Sequence, residues 1–151
     1  MKSVYLCAAM KTSESKFCHC LYFTSNALAR KIEKLATENW KQVGLAPSHA
    51  YLLILVLEEP GIQAGQIADQ MQLSPSTITR LIEKMEEKKL VIRATEGKLT
   101  NVYPTQKGKE MKPLLKQIVA DFYEQYAAIL GKEESKLFIK NMSTVADKLE
   151  I

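Results

Sequence analysis

Ser74, Ser76, Thr77, Thr79, Arg80 and Lys84 form one polar cluster near the middle of the chain, a row of hydroxyls followed by a guanidinium and an ammonium. Such side chains meet phosphate oxygens and the edges of bases, and the planar fork of an arginine matches the O6 and N7 acceptors of guanine. Arg93 and Lys98 carry positive charge further along. From Ser74 to Lys112 there are nine Lys or Arg against five Glu, a surplus of four that equals the formal net charge of +4 for all 151 residues. The rest of the chain is neutral on balance, so the excess is confined to one segment, as a face for double-stranded DNA requires. An ordinary solvated helix offers the same residue types, so the reading depends on the elements that hold them.

A second group of reactive side chains lies at Cys18, His19 and Cys20, with His49 as a distant companion. If this stretch is helical, consecutive residues fan out by about 100° and cannot close on one ion, so no metal or other cofactor is expected. The same fan separates Cys18 from Cys20, while a disulfide between two copies, or one through Cys7, stays open. A thiol near a helix start and beside Lys16 has its thiolate favoured by the dipole and the cation; the other reading of Cys18 is an inert packing residue. Three cysteines, an odd number, argue against an extracellular disulfide framework. With two histidines, no Gly-rich phosphate loop and no paired carboxylates flanking a pocket, the chain is not expected to be an enzyme.

The elements that must position the polar cluster are legible around it. Ile62, Ile67, Ala68 and Met71 share one face of a first short helix, and Ile78, Leu81, Ile82 and Met85 share one face of a second. Small Ala64 and Ala68 let the two cross closely. Between them, Ser74 can cap orphan amides and Pro75 suits a first helical position, so a helix is predicted over Pro75–Lys88 with the cluster at its start. Leu90 to Thr95 and Thr100 to Pro104 read as a hairpin with Glu96, Gly97 and Lys98 at its tip. Two crossed helices and a basic hairpin make a winged helix-turn-helix, assigned to residues 47–108. The protein-interaction module that such a unit can also be is the alternative function.

The flanks are helical too. Helices are predicted from Ser15 to Val43, closed by Gly44; from Pro47 to Glu59, stopped by Pro60 and Gly61; from Thr105 to Leu130; and from Lys132 to Leu149. The expected fold is mainly α with a small β wing: a flexible stretch at residues 1–12, then a single domain over 13–151 in which 15–43 and 109–151 serve dimerisation. The terminal helices carry more apolar surface than a small winged helix covers, which implies a homodimer with two recognition helices about 34 Å apart on a pseudo-palindromic operator. Residues 1–10 are too short an apolar stretch for a secretory leader, Met10 is a second candidate start, and no run is long enough to cross a membrane, so the expected location is the cytoplasm.

From residue 13 onward the chain resembles the MarR family of bacterial transcription regulators. The resemblance rests on helix order and on two strings: QIADQMQLSPSTITRLIEKMEEKKLVIR, and PTQKG at Pro104 to Gly108, where the family has a Leu-Thr pair and a Gly. It implies a homodimer, DNA recognition through the helix starting at Pro75, and backbone or minor-groove contacts from the wing. It also implies a small aromatic effector held near the dimer helices, for which Tyr51, Phe23 and Trp40 are candidates that core packing equally explains. The wing departs from the family: an Asp-Arg-Arg tip is replaced by Glu96-Gly97-Lys98, and Lys98 lacks the fork of arginine. The string FCHCLYFTSNALARKIEKL is similar to the peroxide-sensing branch, which implies Cys18 as the reactive thiol and Tyr22 as its phenol partner, although Ile32 stands where a second tyrosine belongs. The function expected is a sequence-specific DNA-binding transcriptional regulator, a homodimeric repressor released by an effector or by oxidation of Cys18.

Overall fold

The computed structural model describes residues 10–149, so the expectations placed on residues 1–9 and on Cys7 lie outside the described residues. The chain divides into two compact units between Glu38 and Asn39. The first holds a 3-10 turn (Thr12–Glu14) and most of α1 (Leu21–Trp40), which runs across the division. A helix is predicted from Ser15, yet it begins at Leu21, because Ser15 makes a competing local turn. Its Oγ accepts the Phe17 N–H at 3.2 Å and its carbonyl accepts the Cys18 N–H at 3.1 Å. Cys18, His19 and Cys20 are therefore not helical, and the fan of side chains expected for them does not arise. At the other end a 3-10 turn (Lys41–Val43) closes on Gly44 at φ 68°, the left-handed position that favours glycine.

In the second unit, α2 (Pro47–Glu58) buries Ala50, Leu52, Leu53 and Val56, as its nearly all-apolar run demands. Trp40 is fully buried and packs its ring on Tyr51 and Phe122, with centroids 5.5 and 5.2 Å away. Ile62 is predicted to open the first motif helix but instead forms β1 (Ile62–Gln63), paired with β3 (Leu99–Pro104) through Ile62 and Val102. The preceding Gly61, at φ 92°, donates its N–H to the Val102 carbonyl at 2.9 Å and so leads the chain into the sheet. Helix α3 (Ala64–Met71) follows once the Gln66 side chain has accepted the Gln63 N–H at 3.0 Å.

The wing is a three-stranded antiparallel sheet of order β1-β3-β2, with β2 at Val91–Glu96. Glu96, expected at the tip, pairs with Leu99, which leaves a two-residue turn. Gly97 at φ 63° takes its first position, where such turns require left-handed backbone. Beyond the wing lie α5 (Gln106–Glu110), α6 (Lys112–Leu130) and α7 (Lys132–Lys148). The single helix predicted from Thr105 to Leu130 breaks at Met111, because Pro113 has no N–H to continue the ladder. Among the described residues no helix is long and apolar enough to cross a membrane.

Candidate nucleic-acid interface

The turn before the polar cluster is built by backbone bonds rather than by glycine. Gln72 adopts φ 53°, and the N–H groups of Gln72 and Leu73 close back onto the carbonyls of Asp69 and Ala68 at 3.2 and 3.1 Å. Ser74 then caps α4 (Pro75–Glu87): its Oγ accepts the Thr77 N–H at 3.3 Å, and Pro75 occupies the first turn. Ile78, Ile82 and Met85 seat α4 in the core. That leaves Ser76, Thr77, Thr79, Arg80 and Lys84 exposed on the outer side.

The residues singled out by sequence separate here into free and engaged groups. Thr79 donates its hydroxyl to the Pro75 carbonyl at 3.0 Å, and Ser74 Oγ also lies 2.8 Å from Thr77 Oγ1 and 3.1 Å from Ser76 Oγ. Arg80 makes no hydrogen bond or ion pair among the described residues, so its guanidinium is open to an outside acceptor. Arg93 is engaged: its guanidinium lies 2.7 Å from Glu86 Oε2 and its N–H donates to Glu86 Oε1 at 2.9 Å. Lys98 is exposed at the wing turn. Lys84 stands one turn beyond Arg80, beside His49, whose basicity is lowered by burial first and then by Lys88 and Lys84.

Glu86 is the residue of this candidate interface that the sequence does not point to. Its partner is seven positions away in another element, so neither helical nor strand periodicity points to the pair. Helix α4 ends with Lys89 at φ 59°, while the N–H groups of Lys89 and Leu90 bond the Glu86 and Met85 carbonyls at 2.8 and 3.0 Å. The PTQKG string acquires a structural reason at the same place. Thr105 Oγ1 donates to the Lys89 carbonyl at 2.7 Å and accepts the Gly108 N–H at 3.0 Å. A Cβ on Gly108 would collide with the Leu90 carbonyl oxygen, so this joint requires glycine.

In the first unit, Cys18 is half-buried and Tyr22 is 79% exposed. Among the described residues no hydrogen bond joins the two. Of the aromatic candidates, Phe23 packs on Phe17 in that unit, while Trp40 and Tyr51 belong to the second, in a cluster with Phe122 and Tyr126. Burial and then the neighbouring Tyr126 push the Tyr51 phenol up from its ordinary range.

Helices α3 and α4 thus form a helix-turn-helix with an exposed arginine, unpaired among the described residues, near the start of its second helix, and a sheet wing follows it. Residues 43–98 match the MarR family. An uncharacterised HTH-type transcriptional regulator, YybA, of Bacillus subtilis (strain 168) is 26% identical over 93 residues, which are 60% of this chain and 62% of that protein. The HTH-type transcriptional repressor MdtR of the same organism is 26% identical over 72 residues, 48% of this chain and 46% of that protein. The chain thus spans under two thirds of the length of each. Among solved structures, the transcriptional repressor CouR of Rhodococcus jostii RHA1, bound to a 23-mer DNA duplex, superposes with a TM-score of 0.78 at 18% identity, covering 91% of this chain and 98% of that one. The fold is therefore of the winged-helix type.

Proposed function

We propose that the protein is a sequence-specific DNA-binding transcription regulator that acts as a homodimeric repressor. The observation that carries this is the unpaired Arg80 guanidinium on the outer face of α4, within a turn of Ser76 and Thr77 and backed by a buried Ile78–Ile82 ridge that fixes the helix. Ser76, Thr77 and Arg80 read base edges in the major groove, with Arg80 toward a guanine, and Lys98 takes a phosphate. Ser74 and Thr79 shape the helix start, and Arg93 holds the wing to it. The exposed Leu137, Phe138, Met142 and Val145 of α7 supply the apolar surface on which a second copy packs. DNA-bound CouR and the repressor MdtR support the same reading.

Arg80→Ala, checked for native circular dichroism, is expected to weaken binding to the selected operator by roughly 5- to 150-fold, about 1–3 kcal/mol, while binding to random duplex changes less. Unchanged selectivity would remove the assignment. Release is assigned to a small aromatic effector or to Cys18. In the second route the Cys18 thiolate attacks a hydroperoxide, the O–O bond breaks, and a sulfenic acid and an alkoxide result. Operator binding by the native protein should then fall on adding a hydroperoxide and survive in Cys18→Ser; equal behaviour of the two leaves the effector route.

A further inference from the structure

We propose that the cleft between the start of α2 and the last turns of α4 is a binding site for a small oxyanion, a carboxylate or a phosphate monoester. The cleft is open to solvent, has a volume of about 470 Å³ and is lined by Gly44, Ala46, His49, Lys84, Glu87 and Lys88. Two ammonium groups and an imidazole therefore line the same space as one carboxylate, that of Glu87. Lys84 and Lys88 are one turn apart on α4, and neither side chain is in an ion pair among the described residues. The Nε2 atom of His49 is buried and has no hydrogen-bond partner among the described residues. Three basic groups around a single carboxylate leave the cleft with a surplus of basic side chains, a combination that a bound oxyanion completes by supplying counter-charge.

The backbone adds to the same field. Ala46 at the N-cap of α2 has no side-chain oxygen, and Pro47 supplies no N–H. The first helical bond runs from the Ala50 N–H to the Ala46 carbonyl, which leaves the Ser48 and His49 N–H groups ahead of it. The positive end of the α2 dipole thus adds to Lys84 and Lys88. None of these residues belongs to the base-reading half of α4, so Lys84 acquires a role separate from DNA. A ligand here would touch both the segment entering α2 and the far end of the helix that carries Arg80.

The chain contains only two histidines, so each imidazole can be followed by proton NMR in the full-length protein. Titration with sodium phosphate, or with sodium benzoate, is compared with sodium chloride at matched ionic strength. With one of the two oxyanions the His49 signals should shift saturably and their titration midpoint rise by about one pH unit, while exposed His19 stays still. Lys84→Gln combined with Lys88→Gln, both at exposed positions, should weaken that response at least about tenfold. The arm that saturates tells phosphate from carboxylate. A response no larger than that to chloride, one shared by His19, or one unchanged in the lysine variant overturns the proposal. No DNA enters the experiment, so its failure is distinct from failure of the regulator reading.

Discussion

Helices α4 and α7 are both amphipathic, but they find their cover in different places. Helix α4 sinks Ile78, Ile82 and Met85 into its own domain and shows only polar residues along its outer face. Helix α7 is longer, yet the one residue it buries is Ser135, while Leu137 remains 60% exposed and Phe138, Met142 and Val145 form an open ridge. The difference separates two kinds of stability. A helix-turn-helix closes its core within one short segment, so its order is a property of the single chain. An apolar ridge without internal cover is held by whatever packs on it, and the proposed second copy would supply that under mass action.

The comparison breaks most visibly at Ile82. Ile82→Ala removes a buried anchor of α4 and is expected to lower unfolding free energy by about 3 kcal/mol, measured by urea denaturation and independent of protein concentration. A loss that shrinks at higher concentration would show that α4, too, depends on a partner. Phe138→Lys is the counterpart on α7. It should raise the dimer dissociation constant by roughly 30-fold, about 2 kcal/mol, in sedimentation velocity, while the wing and α4 keep their circular dichroism. A native protein that sediments as a single copy at tens of micromolar would sink the reading of α7. The smallest change sharpens the contrast: Lys89→Gly relieves a left-handed residue at the end of α4 and should add roughly 0.5–1 kcal/mol in the same urea assay. No gain there would mean that the Lys89 conformation carries little strain.

How far the sequence could be read follows from the range of the interactions involved. The start of α4 was fully legible, because Ser74 and Pro75 act on amides within one turn. The wing strands were legible from β-branched residues, but β1 was not. Two residues, Ile62 and Gln63, join the sheet only because Val102, far along the chain, offers them a ladder. The start of α1 is not legible, because a single hydroxyl, that of Ser15, tips a local balance toward a turn. In the candidate site, Ser76, Thr77 and Arg80 were named from residue type and position alone. The engagement of Arg93 by Glu86 depends on how β2 lies across α4, which periodicity does not encode.

Because one carboxylate grips both the main chain and the side chain of Arg93, the ribbon and the reading helix have a common hinge pin. If α4 and the wing bind DNA as proposed, a groove too narrow or too wide for the ribbon would be sensed at the helix, and an ill-fitting base step at the ribbon. Spacing between the two would then be a fixed ruler laid along the duplex, and an operator whose shape does not suit that ruler would be rejected even where every base is correct.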